Sequence, residues 1–338
     1  MSWYTQSGNE SDVVIYSKIR LSRNIKGIPF PAKCNEKELE EVYNKMKEIS
    51  YSLGYGLKFI DLNELDAVTR QSLVEKHVLG NRLEKEKGKY RAIIINEEEN
   101  ICIEINGEDH IALQVLCSGL DLNNILNLAI EIDEKIQSTI PYAYHEKYGY
   151  LTACPIYVGT GLKASIQIHI PGLSITNNTR KIINIVNNLG MNIRSSYGDG
   201  QNYQGDFYQI SNNQTLGITE EEIIKNLNLI IQKVKEQERT ARKFLAKNSI
   251  DLEDRIYRDF GVITNARKLD QQETLELLSS IKLGNDLGII NELNDLKMSK
   301  LMIYTKPANL QKRIGKKLSS YEQSIERANI VRQIIEED

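Results

Sequence analysis

The stretch Ile101-Cys102-Ile103-Glu104-Ile105-Asn106-Gly107-Glu108-Asp109-His110-Ile111-Ala112-Leu113-Gln114-Val115-Leu116 decides the fold class. Two β-rich runs flank a polar segment that opens on Asn-Gly, the strongest short-range signal for a tight turn between strands. A further β-rich run, Arg91 to Ile95, precedes them across the polar turn Asn96 to Asn100. Strands that follow one another through turns, with no helix between them, make an antiparallel meander rather than a βαβ unit. The expected class is α+β: a mainly antiparallel sheet flanked by helices.

Working outward, Glu36 to Leu53 repeats Leu39, Val42, Met46 and Ile49 at helical spacing. Helices are also predicted over Leu62 to His77, Leu122 to Ser138 and Ile175 to Leu189. Strands are predicted over Tyr148 to Thr152, Lys163 to Ile170 and Asp206 to Ser211. Thr219 followed by Glu222 is a capping box, opening a long helix to about Lys247. From Leu252 onward the pattern is helical, with Thr274 to Ile281 and Tyr321 to Glu337 the clearest segments. That shift predicts an α+β domain over residues 1–255 and a helical domain over 256–338. Two domains suit a chain of 338 residues at roughly 100–200 residues each.

Composition narrows the function. Apolar residues make up 41% and charged residues 26% of the chain, with a net charge of -3. That balance argues against a nucleic-acid binder working by bulk positive charge. No apolar run approaches the roughly 18–20 residues that span a bilayer, and Met1 to Asp12 is polar and acidic. A cytoplasmic protein is expected. Cys34, Cys102, Cys117 and Cys154 are widely spaced, as are His77, His110, His145 and His169. Neither set has the spacing of a disulfide framework or a metal site.

Four segments could carry chemistry. In Ser17-Lys18-Ile19-Arg20-Leu21-Ser22-Arg23, strand alternation puts Lys18, Arg20 and Ser22 on one face. Cations aligned in this way suit a polyphosphate, or the segment is a solvated edge strand. Glu108, Asp109 and His110 crowd the turn after Asn106-Gly107, where like charges could raise a pKa; an exposed acidic turn is the plainer alternative. Cys154 stands before Pro155 and the Gly-rich Val158-Gly159-Thr160-Gly161, as an exposed thiolate or as a buried cysteine. Arg194-Ser195-Ser196-Tyr197-Gly198-Asp199-Gly200 is a polar loop, in which Arg194 could meet a phosphate and Asp199 a cation.

In order and wording these segments resemble the guanidino (phosphagen) kinases, and most closely their bacterial protein-arginine kinase branch. The resemblance rests on Tyr16 to Asn24, Asn106 to Ala112, Cys154 to Ser165, Arg194 to Gly200 and Tyr208 to Asn212. Downstream it continues through Gln237-Glu238-Arg239, Asp254 to Arg258, Leu283 to Gly288 and Lys306 to Gln311. It covers about residue 12 to the C-terminus. It implies a phosphagen-kinase catalytic domain followed by a helical one, ATP and Mg²⁺ as cofactors, and transfer of the γ-phosphoryl group to a guanidinium nitrogen.

Residue by residue, the resemblance makes Glu108 the catalytic glutamate and Cys154 the cysteine beside the guanidinium. Asp199 takes the place of a substrate-holding glutamate. It assigns the nucleotide to Ser17, Lys18, Arg20, His77, Lys163, Ala164, Ser165 and Arg194. Three arginines that the family pattern expects are replaced: Lys18 and Lys163 stand for two of them, and Ala112 for another. Lysine keeps the charge but loses the bidentate fork; alanine loses both. Tyr157 replaces a small amide. In Gln323-Ser324-Ile325-Glu326-Arg327-Ala328 only Arg327 and Ala328 match a phosphoarginine-binding motif. Three readings follow: a protein-arginine kinase linked to protein quality control, a pseudokinase that keeps the fold as a scaffold, or a small-guanidine kinase acting on free arginine, the last disfavoured because no helical domain of that type comes first. Expected partners are protein substrates with exposed arginine, a zinc-finger activator, a Clp-type protease and a second copy of the chain.

Overall fold

The computed structural model describes residues 2–80, 83, 88–196 and 205–337. The meander is present: β1 (Val14–Arg23), β2 (Lys58–Asp61), β3 (Ala92–Ile95), β4 (Ile101–Ile105) and β5 (Ile111–Ser118) are joined by β8 (Leu162–His169), β9 (Met191–Ser195) and β10 (Phe207–Asn212). These eight form one sheet in the order β2-β3-β4-β5-β1-β8-β10-β9, and every ladder in it is antiparallel. A separate hairpin pairs β6 (Tyr144–His145) with β7 (Gly149–Tyr150). β1 lies in the middle of the sheet, paired with β5 on one side and β8 on the other. The edge-strand reading of Ser17 to Arg23 is therefore wrong.

The β4–β5 connection is longer than Asn-Gly alone favours. Ile105 pairs with Ile111, so five residues, 106–110, make the loop. Only Asn106 takes the left-handed conformation there, with φ 56°, a conformation that Asn tolerates better than most residues. Its side chain donates to Leu39 O at 2.9 Å and Tyr90 O at 2.7 Å. Asn24 and the Ala153 amide then hold Asp109 Oδ1 at 2.7 and 2.6 Å. His110 accepts from the Ile25 amide at 3.0 Å. With its neighbours turned inward, Glu108 is the residue of the loop that keeps partial exposure.

One face of the sheet is apolar. Ile19, Leu21, Leu113, Val115, Ala164 and Ile166 bury against helices α1 (Glu36–Ser50), α3 (Leu122–Gln137) and α6 (Glu220–Leu245). Capping boxes open α1 at Asn35 and α6 at Thr219. The predicted helix over Leu62 to His77 is shorter: a 3₁₀ turn precedes α2 (Ala67–Glu75), which Asp66 caps. Ile175 to Leu189 splits into α4 (Pro171–Ile175) and α5 (Thr179–Asn188), because Asn177 turns left-handed at φ 58°. The strand predicted over Tyr148 to Thr152 contracts to the two residues of β7.

The C-terminal helices are α7 (Ser249–Asn265), α8 (Gln271–Asp286), α9 (Asp295–Tyr304), α10 (Pro307–Ile314) and α11 (Ser320–Glu336). They share their own core, including Ile256, Leu278, Ile281, Leu301 and Val331. α7 approaches α8 closely at Gly284, where a Cβ would lie 2.5 Å from Ile256 Cγ2. Arg327 is buried and donates to Thr305 O at 2.7 Å and Leu269 O at 2.8 Å. Its guanidinium thus braces the chain just before α10.

Two of the connections that tie this helical unit to the sheet domain rest on carboxylates. The Glu75 carboxylate, at the end of α2, accepts from the Ala308 and Asn309 amides at the start of α10. The second is ionic. Glu238 on α6 is 0% exposed and accepts from the Gly172 and Leu173 amides and from Arg242 Nε. Arg242 reaches Asp286 on α8 at 3.0 Å, and Lys282 meets the same carboxylate at 3.0 Å. Among the described residues no helix is long and apolar enough to cross a membrane.

Candidate active site

The other face of the sheet is polar, and cross-strand register explains why. Residues directly opposed on antiparallel strands share a face. From β1, Arg20 faces Gln114 on β5 and Lys163 on β8, while Lys18 faces Ser165. Gln114 faces Cys102 on β4, whose next residue on the same face, Glu104, opposes Ala112. On the far side Tyr16 faces Gln167, Gln167 faces Gln209, and Gln209 faces Arg194 on β9. A polar row thus crosses six strands. It floors a cavity of about 710 Å³ whose lining includes Tyr16, Lys18, Arg20, His77, Glu104, Glu108, Gln114, Lys163, Ser165 and Arg194.

The charges are organised. Arg20 lies 3.8 Å from Glu104, which also accepts from Gln114 Nε2 at 2.6 Å. Arg194 is steadied by Gln209 Oε1 at 2.8 Å. Lys18 donates to the His77 carbonyl at 2.7 Å. Burial brings the Lys18 ammonium down to about 8, with Glu104 opposing and Arg20 and Lys163 adding to the fall. Burial and the ammonium groups of Lys306 and Lys18 hold the His77 ring well below the usual histidine range. Ala112, on the same face between Ser22 and Glu104, brings no charge.

Six of the sequence-predicted nucleotide residues therefore meet here: Lys18, Arg20, His77, Lys163, Ser165 and Arg194. Ser17 and Ala164 do not bring their side chains. Alternation turns both to the opposite face, where Ser17 Oγ donates to Gly119 O at 2.8 Å and Ala164 joins the core. Arg23, from the same motif, is also turned away and pairs with Asp133 at 2.8 Å. Glu108 lines the cavity. Cys154 is partly buried at the start of a 3₁₀ turn, one residue after Ala153, whose amide bonds Asp109. The Glu108 loop and the Cys154 loop are thereby fastened together. Tyr157 leans on Lys163, whose Nζ sits 5.7 Å from the ring centroid, and is not among the residues lining the cavity. Asp199 lies outside the described residues.

Glu104, Gln114, Tyr16 and Gln209 complete the site; Tyr16 and Gln209 lie in the segments that carry the resemblance, without an assigned role, and Glu104 and Gln114 lie outside them. Continuing the alternation from Lys18 gives Tyr16; the other three need the strand register.

The comparisons agree with this geometry. Residues 36–241 match the family model for the ATP:guanido phosphotransferase C-terminal catalytic domain, and residues 249–338 that for the protein-arginine kinase McsB C-terminal domain. The protein-arginine kinase of Halothermothrix orenii is 40% identical over 332 residues, covering 98% of this chain and 95% of its own length. That of Clostridium acetobutylicum is 38% identical over 336 residues, covering 98% of both. Among solved structures, lombricine kinase aligns with a TM-score of 0.60 at 24% identity, over 69% of this chain and 68% of its own. The duplicated taurocyamine kinase of Schistosoma mansoni gives 0.63 at 23% identity, over 72% of this chain and 36% of its own. A fold of this topology, a cation-lined cavity on its sheet and full-length relatives of this similarity lead to one assignment: the chain belongs to the ATP:guanido phosphotransferase family, in its protein-arginine kinase branch.

Proposed function

We propose that the chain transfers the γ-phosphoryl group of MgATP to arginine side chains of proteins. The observation that carries this reading is the convergence of Lys18, Arg20, Lys163 and Arg194 with the Glu108 carboxylate on one cavity. Phosphoryl transfer depends mainly on positioning and on charge stabilisation. Four cations on hydrogen-bonded strands provide both for a triphosphate, and Mg²⁺ enters with the phosphates. MgATP, when bound, supplies the phosphoryl group. Glu108 accepts the guanidinium proton and orients its planar fork; the acceptor-side roles of Cys154 and Asp199 are those that the resemblance implies. Tyr157 is not among the described residues that line the cavity, which favours an enzyme over a scaffold.

The reading includes the Ser17 and Ala164 backbones at the nucleotide, a cytoplasmic setting, and the zinc-finger activator, Clp-type protease and homodimer implied by the resemblance. We place the domain division at the 3₁₀ link Ala246–Asn248 rather than at 255, since α7 runs unbroken from Ser249 to Asn265.

Incubation with MgATP and an arginine-rich protein should yield acid-labile phosphoarginine, read by mass spectrometry; its absence would sink the proposal. Lys18 adds a pH signature. Below about 8 it is an ammonium, and as pH rises through that value the free site loses a cation. MgATP affinity should fall by roughly tenfold between pH 7 and 9, the worth of one charged hydrogen bond. Lys18→Arg, which stays charged, should flatten that profile. Titration calorimetry across pH checks it.

A further inference from the structure

His77 enters the cavity wall from an unusual backbone. Its φ of 64° is in the left-handed region, which residues with a Cβ seldom occupy. Contacts on several sides fix it there. Its amide donates to Val74 O at 2.9 Å, and its carbonyl accepts from Lys18 Nζ at 2.7 Å. The Tyr16 ring lies against the imidazole, with centroids 4.9 Å apart. The last contact comes from 229 residues away: Lys306 Nζ lies 3.1 Å from His77 Nε2.

Lys306 is itself held. It is 5% exposed, directly precedes Pro307 of α10, and donates to Glu75 O at 2.6 Å. The Glu75 carboxylate grips the next amides of the same turn, those of Ala308 and Asn309, each at 2.9 Å. An ammonium offers donors only, so the ring nitrogen facing it must be the acceptor, and the ring proton then resides on Nδ1. The charged groups facing the ring are Lys18 from β1 and Lys306 from the entry to α10, both cations. The carboxylate of α2, Glu75, is engaged with the α10 amides. Lys306 is not among the residues lining the cavity, whereas His77 is.

We propose that Lys306, supplied by the C-terminal helical unit, is a positioning residue for nucleotide binding: it fixes His77 with its proton on Nδ1, so that the cavity presents a neutral N–H donor. The proposal rests on the reading of this cavity as the MgATP site. It makes the nucleotide half of the site a joint product of both parts of the chain. A polyphosphate or ribose oxygen is an acceptor, and an imidazole offering a lone pair there would repel it.

The test uses the full-length protein labelled with ¹⁵N-histidine. Long-range ¹H–¹⁵N spectra should show His77 as the Nδ1–H tautomer at pH 7, still uncharged at pH 6. Lys306→Met should release Nε2, let the Nδ1–H and Nε2–H tautomers both populate, and weaken MgATP binding by about tenfold, roughly the worth of one hydrogen bond to a charged group. KM for ATP should rise while kcat at saturating MgATP is retained. Lys306→Arg, again a pure donor, should restore tautomer and affinity. A wild-type His77 protonated on Nε2, or doubly protonated at pH 7, overturns the proposal even if no variant folds. Unchanged MgATP affinity in Lys306→Met overturns it while leaving the MgATP site intact. A wild-type chain that binds no MgATP removes that site, and the proposal with it.

Discussion

Glu108→Gln is expected to cut phosphoarginine formation by about 10²–10⁴-fold, the span of a lost general base, while leaving MgATP affinity nearly unchanged. The expectation follows from the acceptor. A guanidinium is protonated at any working pH, and its nitrogen lone pair is tied up in the planar fork. A carboxylate can take the proton as the N–P bond forms; an amide of the same shape cannot. The placement of Glu108 makes the separation from nucleotide binding credible. It lines the cavity from the β4–β5 loop, whereas the cations stand on β1, β8 and β9. Turnover by mass spectrometry and affinity by calorimetry read the two effects independently. A fully active Glu108→Gln protein would remove Glu108 as the base, and a joint loss of ATP binding would give it a structural role instead.

The second large effect is on stability. Arg242→Met should destabilise the fold by roughly 3–5 kcal/mol, the usual consequence of removing one partner from a buried ionic group. Arg242 and Asp286 have side chains only 5% exposed, and Glu238 is 0% exposed. Without the guanidinium, Glu238 keeps two backbone amides and Asp286 keeps Lys282, which is partial compensation in a medium that penalises charge. The loss should depend on pH. Burial already raises Asp286 above its ordinary value, against the pull of Lys282 and Arg242. A carboxyl raised in the folded state favours folding when protonated and opposes it once ionised. The deficit of Arg242→Met should therefore shrink as pH falls toward the raised value and be complete above it. Urea unfolding at pH 5 and pH 8 measures this; a deficit under about 1 kcal/mol at pH 8 would mean that the network is not energetically coupled.

Much of the sheet was legible because its central strands are long and patterned. Ile101 to Leu116 gave the meander, and alternation from Lys18 gave the polar face. The same alternation turns Ser17 and Ala164 away, so the motif resemblance and the strand period disagree at those two positions. β2 and β9 went unread as strands because they are short and lie at the two sheet edges. Met191 and Ile193 do alternate with exposed Asn192 and Arg194, but four residues are too few to separate a strand from a loop. Gln114, Glu104 and Gln209 depended on register, which no single segment carries. Lys306 depended on the docking of α10 against α2, a contact between segments more than 200 residues apart.

The polar row on the sheet also bears on how such an enzyme can change. Its cations project from strands locked by neighbours on both sides, or, at Arg194, by a glutamine brace, so little nuclear rearrangement accompanies the rise of charge on the phosphates. Glu108 and Cys154 instead ride on connecting loops fastened to each other through Asp109. In the proposed reaction the phosphate side is thus held by a hydrogen-bonded sheet and the acceptor side by loops. On the proposed reading, exchanges in these loops would change which guanidine is accepted and leave the phosphate-facing lattice in place.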